Sequence, residues 1–234
     1  LVSGTPVLDI RHLKFHKGTI YGVVGAVGSG KSSLLNILSG SSKPDRGSVL
    51  YDYEPFKTSF LGSSLIPKDV AHVNVQKIEK YTVKSLFKRS NASQVLSNYF
   101  SNLSTDKILN SYAKKLTIGE KNAVKLSLGI EADPRVLIID DYALFFDNKM
   151  ENKFRKKLIS INKDHGTTIV LGSPNEQLLR SFCSVLIYLD NGHISKIRTG
   201  NHKSNKPKKR SFSNKKNNSN KFKSSYRGKN DKPR

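Results

Sequence analysis

The sequence predicts an α/β fold, a mainly parallel sheet layered between helices, and three observations predict it. Over residues 1–200, short β-like runs alternate with helix-length segments, as they do in layered α/β domains. One apolar run, Thr19-Ile20-Tyr21-Gly22-Val23-Val24, leads straight into a glycine-rich loop and then a helical pattern. A second, Val136-Leu137-Ile138-Ile139, is continuous and largely β-branched, the mark of a central strand buried on both faces.

The remaining elements come in chain order. Lys31 to Leu38 reads as a helix with Leu34, Leu35 and Leu38 on its apolar face, closed by Gly40. Short strands are expected at Ser48-Val49-Leu50-Tyr51 and at Val73-Asn74-Val75, and residues 84–115 read as mostly helical and polar. Glu120 to Glu131 carries Ala123, Val124, Leu126, Leu128 and Ile130, with Pro134 beyond its end to stop it. A helix over 148–163 precedes a strand from Thr167 to Leu171. Ser184 to Leu189 and His193 to Ile197, joined across Asn191-Gly192, read as a hairpin.

The glycine loop carries chemistry. Gly25-Ala26-Val27-Gly28-Ser29-Gly30-Lys31-Ser32 fits G-x-x-x-x-G-K-S between a strand and a helix, a specific phosphate-loop pattern. Glycines free successive N–H groups to face phosphate oxygens, and the helix N-terminus adds partial positive charge. Lys31 suits the outer phosphates, the Ser32 hydroxyl suits magnesium, and Ser33 completes the expected binding set. Asp140, ending the strand 136–139, is expected at the carboxyl edge of the sheet beside that magnesium. The expected cofactors are therefore ATP and Mg2+.

With these two motifs in place, residues from about 7 to 197 resemble the nucleotide-binding domain of ABC (ATP-binding cassette) proteins. Lys17 to Gly25 resembles the family's approach to its phosphate loop, and Leu34 to Gly40 with Pro44 and Gly47 resembles the stretch beyond that loop. Gln76 stands where the family's Q-loop glutamine touches magnesium and the attacking water. Thr82-Val83-Lys84-Ser85-Leu86 resembles the step into a helical subdomain, about 82–132. Leu116-Thr117-Ile118-Gly119-Glu120 takes the place of the signature motif, so Thr117 and Gly119 join the expected nucleotide contacts. Ala132-Asp133-Pro134, the D-loop stretch Asp141 to Asp147 and Gly166 to Leu171 complete the likeness. The resemblance implies a P-loop NTPase cassette with a small antiparallel β part. It also implies a head-to-tail dimer, homo- or heteromeric, that closes on two ATP molecules and drives a coupled partner.

The departures from the pattern cluster at catalytic positions. Where the family places a glutamate as general base, this chain has Asp141, a carboxylate one methylene shorter. Ser173 and Pro174 stand where a switch histidine is expected, and Ile118 replaces the first signature glycine. An adenine-stacking aromatic would fall near Val2, where none is present. Small misplacements of a base are expensive in rate, so the expectation is firm ATP binding with slow hydrolysis. The expected catalytic residues are Asp141 and Gln76, and the expected metal ligands are Ser32, Gln76 and Asp140.

Charge and composition bound the setting. Cys183 is the only cysteine, which excludes an internal disulfide and points to a reducing, cytoplasmic home. The apolar stretch Ser184 to Leu189 is far too short to span a bilayer, so a membrane link is expected through a partner or through charge. The net charge is +23, and residues 201–234 hold 13 Lys and Arg against one acid. That segment lacks the apolar area to offset its ordering entropy, and it is read as a disordered basic tail after an ATP-binding domain at 1–200. Two functional readings result. In one, the chain is the ATPase subunit of a membrane transporter, peripheral at the inner face of the membrane through a separate permease. In the other, the tail, with Lys206-Pro207-Lys208-Lys209-Arg210 and interleaved aromatics, takes a non-transport cassette to RNA, ribosomes or DNA. Attraction of the tail to an anionic membrane surface is a third use of the same charge.

Overall fold

The computed structural model describes residues 7–57, 67–73, 77–88 and 90–202. Strand β1 (Ile20–Val24) runs into helix α1 (Lys31–Leu38), and a small hairpin comes next, β2 (Leu50–Tyr51) with β3 (Glu54–Pro55). Beyond it lie β4 (Val70–His72) and the short helices α2 (Val83–Leu86), α3 (Ala92–Ser97) and α4 (Asn102–Leu109). The long helix α5 (Ile118–Glu131) leads to β5 (Val136–Ile139), then α6 (Asn148–His165) and β6 (Thr168–Ser173). Helix α7 (Glu176–Arg180) and the pair β7 (Val185–Asp190) and β8 (His193–Thr199) complete the series.

The main sheet has the order β4-β5-β6-β1-β7-β8, and only β8 runs antiparallel to its neighbour. Parallel strands need cover on both faces, and the side chains divide accordingly. Tyr21, Val23, Ile138, Val170 and Ile187 pack with Leu34 and Leu35 of α1. Ile20, Val24, Leu137, Ile139, Ile169 and Leu171 pack on the other face with Leu126 of α5 and with Phe154 and Leu158 of α6. Each such side chain, fully buried, stabilises by about 1.5–3 kcal/mol. Phe154 also stacks between Tyr99 (centroids 3.9 Å apart) and Phe146 (5.1 Å), joining α6, the segment after α3 and the loop after β5.

Several expectations shift. A strand not expected from the sequence lies at Val70–His72, just before the expected Val73–Val75, because Val70, Ala71 and His72 register against Val136, Leu137 and Ile138. Val73 extends this edge by donating its N–H to Ile138 O at 3.0 Å, while Asn74 and Val75 lie outside the described residues. The polar stretch 84–115 breaks into short helices because Asn91 and Ser101 cap new starts with their side chains. Helix α5 begins at Ile118 rather than Glu120, since Thr117 is its N-cap. Strand β3 and helix α7 had no sequence expectation. The first turns at Asp52 and Tyr53, both at positive φ, and the second is capped by the Asn175 side chain. Among the described residues, no helix is long and apolar enough to cross a membrane.

Candidate functional site

The glycine loop sits at the carboxyl end of β1, where the chain must reverse before α1. Gly30, at φ 100, makes that reversal in left-handed backbone that a larger residue would resist. No side chain caps α1, so the first-turn N–H groups of Lys31, Ser32 and Ser33 remain without an acceptor among the described residues. Ala26, Val27 and Gly28 are exposed, with Val27 95% exposed, while Ser29 and Lys31 are buried. The Lys31 ammonium folds back on the loop and donates to the carbonyls of Gly25 and Ala26, both at 2.8 Å. The loop is tied to the β7–β8 turn through Gly192 N–H to Ser29 O at 3.1 Å. Backbone donors at a helix N-terminus and one ammonium on a glycine-rich turn are the chemistry a polyphosphate needs, so the residues fit that group. Ser32 is exposed on the first turn and Ser33 is half-buried beside it.

Strand β5 delivers two carboxylates to the same edge of the sheet. Asp140 Oδ1 accepts the Asp141 N–H at 3.0 Å, which steadies the first carboxylate. Gly172 of β6 makes room for it: a Cβ there would stand 2.9 Å from Asp140 Oδ1 and 2.8 Å from Leu35 Cδ1. Asp141 has φ 49, a left-handed conformation that aspartate tolerates better than most side chains. Burial and then the neighbouring Asp140 push the Asp141 pKa up, while Lys31 pulls it down. The loop lysine and both carboxylates therefore share one electrostatic environment. An oxygen-rich pair suits a hard divalent cation such as magnesium.

The other expected residues are placed variously. Gln76 lies outside the described residues, as does Val2. Ser173 is buried, and its hydroxyl accepts the Asn175 N–H at 3.2 Å, so it serves the turn before α7. Thr117 and Glu120 form a capping box: Glu120 N–H reaches Thr117 Oγ1 at 3.3 Å, and Thr117 N–H reaches Glu120 Oε2 at 2.9 Å. Gly119 presses on the loop after β5, where a Cβ would lie 2.8 Å from Phe145 O. No hydrogen bond or ion pair among the described residues joins Thr117–Glu120 to the glycine loop. Ile118 is 61% exposed. Of the two D-loop aromatics, Phe146 stacks on Phe154 and Phe145 stays half exposed.

Sequence reasoning missed Gly172, His72 and Tyr142. A glycine inside an apolar strand does signal close backbone approach, so Gly172 was legible in principle. Tyr142 was not, because its role depends on partners far along the chain. Its N–H donates to Gly172 O at 2.8 Å, and its hydroxyl donates to buried Glu151 at 3.2 Å.

A family model described as ABC transporter matches residues 8–143, more than half of the chain. The chain belongs to the ABC transporter family. The tungstate uptake system ATP-binding protein TupC of Peptoclostridium acidaminophilum is 27% identical to this ABC cassette over 200 residues, 82% of this chain and 91% of that protein. A probable sulfate/thiosulfate import ATP-binding protein, CysA of Chlorella vulgaris, is 26% identical over 212 residues, 86% and 88% of the two chains. Among solved structures, the dimeric bacterial ABC transporter cassette MJ0796 matches with a TM-score of 0.69 and 21% identity, covering 82% of this chain and 90% of that one. The fold is the α/β P-loop fold of ABC cassettes.

Proposed function

We propose that the chain is the ATP-binding subunit of an ABC membrane transporter. It binds ATP with magnesium, dimerises with a second cassette, and works on a separate membrane permease. The observation that carries this reading is the joint placement of the Gly25–Ser33 cradle and the Asp140–Asp141 pair at one sheet edge, in a chain of this family. The loop, with Thr117 and Gly119 of the partner cassette, holds the nucleotide; Ser32, Gln76 and Asp140 hold the metal. Magnesium supplies charge neutralisation at the phosphates when bound. Asp141 is the base, and its short side chain, with Ser173 engaged in a turn, supports slow turnover. Relatives bear names of tungstate, sulfate and methionine uptake or import ATP-binding proteins, which supports an importer without selecting a cargo. The chain is then cytoplasmic and peripheral at the inner face of the membrane.

Binding of a fluorescent ATP analogue to the full chain, and its loss in Lys31→Ala, tests this reading. Wild-type binding that survives Lys31→Ala unchanged would sink it.

A second reading rests on residues 201–234, the basic segment proposed as a tail after the 1–200 domain, of which 203–234 lie outside the described residues. Its 13 Lys and Arg suit RNA, DNA or an anionic membrane surface. Salt-sensitive RNA binding that disappears on deleting 201–234 would favour nucleic acid. Salt-sensitive binding to anionic vesicles alone would favour the membrane.

A further inference from the structure

His72 is the last residue of β4 and is only 8% exposed, yet neither ring nitrogen has a hydrogen-bond partner among the described residues. A buried polar group left unmet costs about 1–3 kcal/mol and calls for an explanation. Its place in the sheet supplies one. His72 registers against Ile138, whose side chain packs toward α1 with Leu34 and Leu35. Two residues on, just past the end of β5, Asp140 turns its Oδ1 to the same side: a Cβ built on Gly172 would lie 2.9 Å from Asp140 Oδ1 and 2.8 Å from Leu35 Cδ1 of α1. His72 and Asp140 thus lie one strand apart on the α1 side of the sheet, at its carboxyl edge. Their electrostatic coupling reports the same proximity: burial lowers the His72 pKa, and Asp140 opposes that fall. A neutral imidazole offers one N–H donor and one acceptor. Asp140 Oδ1 is already engaged by the Asp141 N–H, which leaves its second oxygen available.

We infer that His72 is a positioning residue for the magnesium site: its ring N–H, through one bridging water, holds the Asp140 carboxylate in its metal-binding orientation. Hydrogen bonds to metal-ligating carboxylates are worth about 10–100-fold in metal affinity, which sets the expected size of the effect. The inference rests on the nucleotide site proposed above, and the two can fail separately. Failure of wild-type protein to bind nucleotide would fall on that reading, whereas His72 is tested only by magnesium dependence in protein that binds.

The experiment titrates Mg2+ into the full chain with a fluorescent ATP analogue, in wild type, His72→Phe and His72→Gln. In His72→Phe, binding in excess chelator stays at the wild-type level and the half-saturating magnesium rises roughly tenfold or more. His72→Gln, which keeps an N–H donor, stays within about threefold of wild type. A wild-type magnesium midpoint in His72→Phe overturns the inference, as does an equal rise in both variants, which would assign the effect to packing. If His72→Phe does not fold, His72→Met takes its place under the same criteria.

Discussion

The hydroxyl of Tyr142 donates to the carboxylate of Glu151 at 3.2 Å, with both residues buried beneath the loop that carries Asp141. Glu151 also pairs with Arg155 at 3.5 Å, so its charge is shared between one neutral donor and one cation. Tyr142→Phe keeps the ring on Phe182 and removes the donor. It is expected to destabilise the fold by about 1–3 kcal/mol, read as a shift in urea midpoint at unchanged slope. A midpoint equal to wild type would show that Arg155 alone satisfies the carboxylate.

Gly172→Ala places a methyl carbon 2.9 Å from Asp140 Oδ1 and 2.8 Å from Leu35 Cδ1, so either α1 or the carboxylate must move. The expected result is a loss of about 1–3 kcal/mol in stability and weaker magnesium-dependent nucleotide binding. Denaturant titration and a magnesium titration check the two halves separately.

The Asp141 pKa is raised by burial and by Asp140, against the opposing pull of Lys31. A carboxyl with a raised folded pKa favours the folded state only while protonated. Its ionised form therefore destabilises the fold as pH rises through the ordinary value of 3.8, fully so above the raised value. Asp141→Asn is expected to melt above wild type at pH 7, with the difference shrinking toward pH 3. Melting curves across that range check the sign, and a gain that grows as pH falls would refute it.

Lengthening the base tests slow hydrolysis directly. Asp141→Glu restores the methylene and is expected to raise kcat roughly tenfold, with KM for ATP within about threefold. The position opposes the change, since φ 49 is less comfortable for glutamate than for aspartate. Steady-state phosphate release measures both constants. No gain in kcat would move the deficit to Ser173 and the signature segment.

The amino-acid sequence alone determined the layered α/β class, the glycine loop, the strand 136–139 with its terminal Asp140, and the final hairpin. Those features are written in local periodicity, turn residues and a contiguous motif, so no distant partner is needed to read them. It did not reveal the edge strand at Val70–His72, because these three residues gain their register only from Val136 to Ile138 across the sheet. Only the tertiary structure decided that the Tyr142 hydroxyl meets Glu151 and that Gly172 opens the space beside Asp140. The same holds for the imidazole of His72, buried and without a hydrogen-bond partner among the described residues. The physical reason is shared: burial and hydrogen-bond satisfaction are properties of neighbours in space, and most of these neighbours come from different elements of the chain.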